Sequence, residues 1–312
     1  MRYLDQSDII KIGNNWGDLI SVIEDTVIAE KKGDFAQPIK PYLRFNDLTN
    51  RIIAMPAFVG GKTDMAGIKW IASFPNNIYS NIPRANSVTV LNNSKTGEVE
   101  SIINTVEVSK IRTSAVSGLL LDKYLKSFNG KAKVLIIGFG PIGQTHYNML
   151  RNHFSDKLEK VEIFDLRKIE YSNLDAKDCF IEDWQSAFGQ ADVVITTTVA
   201  KERYINLMPK ENCLLLNVSL RDYKTEMFEY VKENIIVDNW EEINRENTDI
   251  ENYYLNSGLQ EQDVVTIYDA LQDGYFKQGR YFFNPMGMAI FDIAIATYFY
   301  NKAKKENVGK EL

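Results

Sequence analysis

The pattern of apolar positions predicts two kinds of structure along the chain. Near the start, Leu19, Ile23 and Val27 recur at the spacing of one helical face, which predicts a helix over 15–31. A longer helix containing small residues is predicted over 106–127. Short runs with the composition of β-strands lie between these helices, at 41–45, 51–55, 67–74, 86–91 and 99–104. The opening segment is therefore predicted to be a mixed α+β domain.

The pattern changes near residue 119, where continuous apolar runs begin to alternate with helical segments. These runs are KVLIIGFG, VEIFDL, ADVVITTTV, CLLLNVSL and NIIVDNW. Continuous apolar strands separated by helices are typical of a parallel sheet that is covered on both faces. We therefore predict an α/β protein with a doubly wound Rossmann domain over 119–283. Residues 1–118 and 284–312 are predicted to form a second, mixed α+β domain together.

The last part of the chain predicts one long helix. The segment MGMAIFDIAIATYFYNKAKKE has the apolar spacing of an amphipathic helix, and we expect it to return to the N-terminal domain. An aromatic cluster precedes it, made of Tyr275, Phe276, Tyr281, Phe282 and Phe283. We expect these rings to pack against the C-terminal helix rather than to form a ligand cage.

Composition narrows the function classes. Lys and Arg number 36 against 42 Asp and Glu, a formal net charge of −6, so the basic face that nucleic-acid binding needs is not expected. No apolar run approaches the roughly 18–20 residues of a membrane span, and the acidic start MRYLDQSD lacks the apolar core of a signal peptide. We therefore expect a cytoplasmic enzyme with neither nucleic-acid nor membrane partners.

The chain has few residues that bind metals or form disulfides. It contains two cysteines, Cys179 and Cys213, without C-x-x-C spacing, and two histidines, His146 and His153. These counts exclude a disulfide framework, a zinc site and a multi-histidine centre, so no metal is expected. We expect His146 to have a surface or helix role.

A glycine motif follows the first apolar run of the Rossmann segment. It has the form G-x-G-x-x-G, between a strand and a helix, and spans Gly138, Gly140, Pro141, Ile142 and Gly143. In that context the first glycine makes a tight turn, the second lets a diphosphate approach the backbone, and the third lets helix and strand pack closely. The helix N-terminus then favours the anionic diphosphate. The motif predicts a dinucleotide site.

Two further positions refine this prediction. Asp165 ends the next strand, 22 residues after Gly143, where an acid accepts hydrogen bonds from ribose hydroxyls and repels a 2′-phosphate. NAD is therefore favoured over NADP, although the nearby Arg167 weakens the preference. Thr197 lies at the end of the strand VVITTT, beside the expected path of the cofactor, and we predict that it contacts the cofactor.

Motifs outside the Rossmann segment resemble a known family. GIKW at 67–70, KIRTSAVS at 110–117 and NPMGMAIFDIA at 284–294 are similar to the ornithine cyclodeaminase/mu-crystallin family, over essentially the whole chain. The resemblance implies an NAD-dependent enzyme that acts on an amino acid, and a homodimer formed through the strand-rich domain.

The resemblance also implies roles for individual residues. Arg112 matches the arginine that holds the substrate α-carboxylate, and Lys69 matches the active-site lysine near that carboxylate and the reacting carbon. Arg44 matches a second carboxylate ligand. Arginine suits this work because its guanidinium holds a carboxylate through two parallel hydrogen bonds. The resemblance assigns cofactor contacts to Asn86, Thr113 and Met288.

The predicted catalytic acid is Asp222. It lies five residues after Asn217, beyond the strand CLLLNVSL, at the carboxyl end where α/β sheets bind ligands. The family places its catalytic aspartate at the matching position. Such a carboxylate would act as general base on the substrate amine or on the attacking water.

Within the family, the chain resembles the branch that makes L-2,3-diaminopropionate for siderophores and antibiotics. This implies oxidation of N-(2-amino-2-carboxyethyl)-L-glutamate by NAD⁺, after which water releases 2-oxoglutarate and L-2,3-diaminopropionate. Arg84 belongs to this branch and is the candidate for the distal carboxylate. Ile53 stands where ornithine cyclodeaminases have an acid, which argues against a terminal ammonium in the substrate.

Three other functions stay open. An alanine-type amino-acid dehydrogenase needs the same cations without a third arginine. A cyclodeaminase is disfavoured by Ile53. A non-enzymatic role would keep the glycines, but the retained acid and cations do not favour it.

Overall fold

The computed structural model describes all 312 residues, and the chain divides into two compact units. The first unit is Met1–Val116 with Gly287–Leu312, and the second is Ser117–Met286. The sequence-based boundaries, 118/119 and 283/284, are two and three residues away from these.

The first unit is built on an eight-stranded, mostly antiparallel sheet. Its strands are β1 (Arg2–Asp5), β2 (Phe35–Ala36), β3 (Tyr42–Leu43), β4 (Arg51–Val59), β5 (Met65–Ser73), β6 (Ala85–Asn93), β7 (Val99–Asn104) and, at the end of the chain, β16 (Lys310–Glu311). The order is β16-β1-β7-β6-β5-β4-β2, and β3 pairs with β4. The sequence did not predict β1 and β16, which are too short to show a two-residue alternation.

Four helices belong wholly or partly to this unit. They are α1 (Gln6–Ile12), α2 (Trp16–Lys31), α3 (Glu107–Ser127) and the last helix, α10 (Ala289–Glu306). A 3₁₀ turn covers Pro75–Ser80. The α2 helix begins where the Asn15 side chain accepts a hydrogen bond from the Asp18 backbone N–H, which caps an otherwise unpaired donor. The α10 helix packs against α2, β4, β5 and β6.

Strand register decides which side chains share a face of this sheet. Lys69 on β5 pairs with Met55 on β4 and Thr89 on β6, and all three are buried. Cross-strand partners in an antiparallel sheet project to the same face. This face lies under α10, because a Cβ built on Gly67, two residues from Lys69, would lie 3.0 Å from Ile293 Cδ1.

The opposite face of the same sheet is apolar but only partly covered. Trp70 is 41% exposed there. The other residues of this face in the three central strands include Ile52, Ala54, Pro56, Ile68, Val88 and Val90, all of intermediate exposure.

The second unit is built on an eight-stranded sheet in which every pair is parallel. Its strands are β8 (Ala132–Ile137), β9 (Leu158–Phe164), β10 (Cys179–Phe180), β11 (Val193–Thr196), β12 (Leu214–Asn217), β13 (Ile235–Val237), β14 (Val264–Thr266) and β15 (Tyr281–Asn284), in the order β10-β9-β8-β11-β12-β15-β13-β14. The α/β prediction, with a parallel Rossmann-type sheet, is confirmed.

Helices and turns connect these parallel strands. The helices are α4 (Pro141–His153), α5 (Trp184–Phe188), α6 (Phe228–Val231), α7 (Trp240–Ile243), α8 (Asp249–Ser257) and α9 (Ile267–Ala270). Three 3₁₀ turns cover Ser155–Lys157, Thr225–Met227 and Glu261–Asp263.

The structure places the last members of the aromatic cluster in the parallel sheet of the second unit. Tyr281–Asn284 is strand β15, which lies between β12 and β13 inside the sheet. Phe282 is fully buried and packs against Tyr223 and Tyr253, with ring centroids 4.9 and 6.1 Å away. A short apolar run that forms a central parallel strand has no alternation, so periodicity alone does not distinguish it from other buried segments.

Candidate functional site

Three buried charged side chains meet in the first unit. Lys69 extends from β5, Arg112 from α3 and Asp292 from α10. The Lys69 Nζ lies 2.7 Å from one Asp292 oxygen, and the Arg112 Nε donates a hydrogen bond of 2.8 Å to the other. Asp292 is fully buried, and Lys69 and Arg112 nearly so. The structure therefore brings together the predicted Lys69 and Arg112, and adds a carboxylate that the sequence analysis missed.

A fourth charged residue lies beside this group. The buried Lys40 donates a hydrogen bond of 2.9 Å to the Gly287 carbonyl. A Cβ on Gly287 would lie 2.4 Å from the Arg112 Nη1, and the backbone φ of Gly287 is +84°. The positive φ favours glycine here, and the absence of a side chain lets the chain before α10 approach the guanidinium. Met288, a predicted cofactor contact, follows directly with its side chain buried.

The electrostatics of this group leave an excess of positive charge. Burial lowers the pKa of Lys69 to about 7, with Asp292 opposing that shift and Arg112 and Lys40 reinforcing it. Burial alone would raise the pKa of Asp292, but the Arg112 and Lys69 charges outweigh it and lower that pKa. Because Arg112 uses Nε for Asp292, its two terminal nitrogens are left to donate to a carboxylate.

The remaining predicted residues of this unit lie elsewhere. Thr113 is half-buried, and its hydroxyl donates to the Ser109 carbonyl at 2.8 Å. Arg44 is exposed, with its guanidinium 5.5 Å from the centroid of the Tyr42 ring. Asn86 is exposed on the sheet face opposite Lys69, where its amide donates to the Pro83 carbonyl at 3.4 Å. The contacts of these three residues neither test nor support their predicted roles.

The glycine turn of the second unit joins β8 to α4. Gly138 has a φ of +94°, and a Cβ there would lie 2.9 Å from the Thr197 carbonyl. A Cβ on Gly143 would lie 2.2 Å from the Gly138 oxygen. These two glycines are required by the fold itself. Pro141 begins α4 at the position where proline is tolerated, followed by the half-buried Ile142.

Gly140 differs from the other two glycines. Its φ is −72°, which any residue adopts, and a Cβ there would meet no atom within 4 Å. Neither the backbone nor the packing therefore requires glycine. The open space lies at the N-terminus of α4, where free backbone N–H groups attract anions. A dinucleotide diphosphate that approaches the backbone accounts for a glycine at this position.

Two other predicted cofactor residues support the turn. The Asp165 carboxylate accepts a 2.7 Å hydrogen bond from the Phe139 N–H and is paired with the exposed Arg167 guanidinium at 2.9 Å. Although burial would raise the pKa of Asp165, the bonds from Arg167 and Phe139 outweigh it and lower that pKa. The Thr197 hydroxyl donates to the Gly138 carbonyl at 2.6 Å, so this side chain already holds the glycine turn.

Asp222, the predicted acid, is buried in the loop after β12. Its carboxylate accepts hydrogen bonds from the hydroxyls of Thr198, at 2.6 Å, and Ser219. Burial raises the pKa of Asp222, and the two hydroxyls only partly oppose that shift. A buried carboxylate with a raised pKa is suited to proton transfer.

A second buried carboxylate, missed by the sequence analysis, holds the Asp222 loop. Asp249 accepts hydrogen bonds from the backbone N–H groups of Asp222 and Tyr223, at 3.0 and 3.1 Å, and from the Asn217 amide at 2.9 Å. Its other oxygen pairs with the Arg203 Nε at 2.6 Å. Burial raises the pKa of Asp249 to about 6. The only sequence signal was Thr248 three residues before Glu251, a spacing that marks a helix start.

His146 is fully buried, so a surface position for it is wrong. Its Nδ1 lies 2.9 Å from the Ile142 carbonyl and its Nε2 lies 2.9 Å from the Ser117 hydroxyl. Burial lowers the pKa of His146 to about 4, so the ring is neutral at physiological pH. It joins α3 to α4 inside the second unit.

The chain is similar over nearly its whole length to a known protein family. The model of the ornithine cyclodeaminase/mu-crystallin family matches residues 3–307. The chain belongs to this family. It is 31% identical to the N-((2S)-2-amino-2-carboxyethyl)-L-glutamate dehydrogenase of Staphylococcus aureus, over 100% of this chain and 98% of that protein.

Solved structures agree with the fold. The Δ(1)-pyrroline-2-carboxylate reductase of Thermococcus litoralis, in complex with NADH and L-proline, has a TM-score of 0.86 at 20% identity, covering 100% of both chains. An archaeal alanine dehydrogenase dimer with bound NAD has a TM-score of 0.82 at 21% identity, covering 100% of this chain and 98% of that one. In the described structure no helix is long and apolar enough to cross a membrane.

Alanine substitutions in the glycine turn distinguish its role in folding from its role in ligand binding. We expect Gly143→Ala to lower the free energy of unfolding by about 1–3 kcal/mol, because its methyl overlaps the Gly138 carbonyl. Gly140→Ala should leave unfolding unchanged and weaken NAD⁺ binding at least tenfold, because only a bound ligand meets its methyl. Urea unfolding and NAD⁺ titration test the pair. Unchanged NAD⁺ affinity in Gly140→Ala would show that no ligand approaches this turn.

The buried ion pairs of Asp292 predict a large effect on the free energy of unfolding. We expect Asp292→Asn to lower the free energy of unfolding by about 3–5 kcal/mol, because two buried cations lose their shared counterion. The matched control is Asp122→Asn, which breaks the exposed Asp122–Lys126 pair and should cost well under about 1 kcal/mol. Similar losses in both variants, by chemical denaturation, would contradict the central place given to Asp292.

Proposed function

We propose that the protein is an NAD-dependent dehydrogenase that oxidises N-(2-amino-2-carboxyethyl)-L-glutamate, with water then releasing L-2,3-diaminopropionate and 2-oxoglutarate. The observation that carries the proposal is the buried group of Lys69 and Arg112 around Asp292, which has a net positive charge for an amino-acid carboxylate. Full-length similarity to the staphylococcal dehydrogenase supports the specific substrate.

The residues of the glycine turn fit the cofactor. Gly140 leaves space beside the N-terminus of α4 for a diphosphate. Asp165 carries a negative charge at the end of β9, which suits ribose hydroxyls and disfavours a 2′-phosphate. Arg167 must release Asp165 for that contact, and an arginine that is mostly exposed can do so. Bound NAD⁺ supplies the acceptor for the hydride.

The chain's own residues then bind the substrate and move protons. Arg112 offers its two terminal nitrogens to the α-carboxylate, and the Lys69 ammonium adds a second cation. Loss of hydride from the glutamate α-carbon and of a proton from the nitrogen leaves an imine. Asp222, with its raised pKa, accepts that proton or the proton of the water that attacks the imine.

The position of Ile53 bears on the choice within the family. Ile53 pairs with Ile71 of β5 and Tyr42 of β3, so it lies on the same sheet face as Lys69. An apolar side chain at this position does not stabilise a terminal ammonium. This supports a substrate without the second amine of ornithine or lysine, and a simple alanine-type dehydrogenase is the remaining alternative.

We also propose that the protein is a homodimer joined through the first unit. The support is the partly covered apolar sheet face that carries Trp70, 41% exposed, and the fact that a structural relative, an archaeal alanine dehydrogenase, is a dimer. Burial of such a face is a strong drive to association.

Turnover tests the proposed reaction directly. With NAD⁺ and N-(2-amino-2-carboxyethyl)-L-glutamate, we expect NADH fluorescence and stoichiometric 2-oxoglutarate, while alanine, ornithine and lysine give neither. NADH from alanine alone would identify an alanine-type dehydrogenase, and proline from ornithine would identify a cyclodeaminase.

A substitution of Arg112 distinguishes substrate binding from cofactor binding. Arg112→Lys keeps a charge for Asp292 but loses the fork that holds a carboxylate. We expect kcat/KM to fall at least 100-fold with the NAD⁺ affinity within twofold of the wild type. Should the NAD⁺ affinity fall equally, the role given to Arg112 is wrong.

The low pKa of Lys69 predicts a pH limit. Lys69 is protonated below about pH 7 and loses its charge above it, so the substrate KM should rise as pH increases through this range. The KM for NAD⁺ should stay constant. Lys69→Arg, which stays charged, should remove the alkaline rise in KM. A KM that is flat with pH in the wild type would contradict this assignment.

A further inference from the structure

Two side chains from the early part of the chain hold the start of α10. The Gln37 Oε1 accepts a hydrogen bond of 3.0 Å from the Ile290 backbone N–H. The Lys40 Nζ donates a hydrogen bond of 2.9 Å to the Gly287 carbonyl. These contacts join positions that are 253 and 247 residues apart in the sequence. Together they hold the backbone on both sides of Met288.

Two prolines restrict the backbone from which these side chains extend. Gln37 precedes Pro38, and Lys40 precedes Pro41. Proline disfavours the helical conformation for the residue before it, and its own φ is fixed. The backbone at Gln37 and Lys40 therefore has few alternative conformations. This restriction reduces the entropy that is lost when the two contacts form.

The sheet of the first unit anchors the 37–41 segment at both ends. The strands directly before and after it, β2 and β3, are both paired with β4 in an antiparallel direction. The Pro41 carbonyl also accepts a hydrogen bond of 3.4 Å from the Ala54 N–H of β4. The segment therefore links β4 to the start of α10, while β5, the other neighbour of β4, carries Lys69.

The first turn of α10 takes part of its support from outside the helix. Met288, at the N-cap position, makes no capping hydrogen bond with its side chain. The first N–H groups of a helix have no acceptor within the helix, so Gln37 supplies one that is missing. Asp292 lies in this same first turn. The position of its carboxylate therefore depends on how the turn is held.

The Lys40 contact acts on the surroundings of Arg112. A Cβ on Gly287 would lie 2.4 Å from the Arg112 Nη1, so the Gly287 backbone lies directly against this nitrogen. Nη1 is one of the two terminal nitrogens that remain for a carboxylate while Nε binds Asp292. The guanidinium is therefore held by α10 through Asp292 and by the backbone that Lys40 fixes at Gly287.

We propose that Gln37 and Lys40 are positioning residues that set the affinity of the site for the substrate carboxylate. They act through the first turn of α10 and through Gly287, which together hold the Arg112 guanidinium in the orientation that a carboxylate needs. This inference rests on the proposed function and deepens it, because it names the residues that keep the binding fork in place.

Steady-state kinetics of Gln37→Leu test the proposal without a change of charge. The variant loses the acceptor for the Ile290 N–H and keeps a side chain of similar size. We expect the KM for N-(2-amino-2-carboxyethyl)-L-glutamate to rise at least fivefold, as for the loss of one hydrogen bond, with kcat within threefold and the KM for NAD⁺ within twofold. Gln37→Glu, which keeps an acceptor at the helix N-terminus, should stay within twofold of the wild type. An unchanged substrate KM in Gln37→Leu overturns the proposal.

Lys40→Met tests the second contact. This variant removes the donor to the Gly287 carbonyl, so it should raise the same KM at least fivefold, and Lys40→Arg, which keeps a donor, should recover part of the loss. The matched control is Thr26→Val, which removes a buried hydrogen bond of 2.7 Å to the Val22 carbonyl in α2 of the same unit.

The control distinguishes positioning from a general loss of stability. Thr26→Val should lower the urea midpoint of unfolding and leave both KM values unchanged. An equal rise of the substrate KM in Thr26→Val would show that this KM follows stability alone, which contradicts the proposal. A rise in Lys40→Met without one in Gln37→Leu would show that Lys40 acts through its charge, and the positioning role would be wrong.

Equilibrium binding separates this inference from the proposed reaction. With NADH present, calorimetry should show that the wild type binds 2-oxoglutarate and that Gln37→Leu binds it at least fivefold more weakly. If this result holds but no substrate is turned over, the positioning role stands and the proposed reaction fails. If substrate is turned over but Gln37→Leu behaves as the wild type does, the positioning role fails alone. A wild type that neither binds 2-oxoglutarate nor turns over substrate would contradict both.

Discussion

The paired contacts of Asp292 with Lys69 and Arg112 are the constraint on which the first unit depends. A carboxylate with no exposed surface is tolerated only because two cations meet it, and each cation is tolerated for the same reason. The three residues come from a strand and two helices, so their contact fixes how those elements pack. The same contact leaves one positive charge unbalanced, which links the packing of the unit to its capacity to hold an anion.

The second unit uses the same principle around Asp249. This buried carboxylate takes two backbone N–H groups of the Asp222 loop, while Arg203 balances its charge. The loop contains Leu220 with a φ of +68°, a conformation that side chains rarely adopt. The bonds to Asp249, and the Asn217 oxygen that accepts the Leu220 N–H at 3.0 Å, hold the loop in that form. A rigid support behind a proton-transfer group is what efficient chemistry requires.

Much of this architecture follows from the sequence, because its signals are local. Periodicity predicted α2, the continuous apolar runs separated by helices predicted the parallel sheet, and the glycine spacing indicated the turn at Gly138. The carboxylate of Asp292 was missed because a single acid in an apolar helical run looks like an exposed position. Asp249 was missed because it looks like an ordinary acid in the first turn of a helix. Their partners are 180 and 46 residues away in sequence, at Arg112 and Arg203, and only folding brings them together.

The order of elements along the chain has a consequence for synthesis. The first unit takes its sheet and two cations from residues before 117, but Asp292 and α10 come from the last 26 residues, and β16 closes the sheet edge against β1. A ribosome therefore completes the whole parallel-sheet unit before the other unit has its counterion. Until then the nascent unit carries Lys69 and Arg112 without Asp292, and its sheet has an apolar face that α10 does not yet cover. A chain truncated before residue 289 contains one complete unit, and its other unit lacks the α10 helix that covers the sheet.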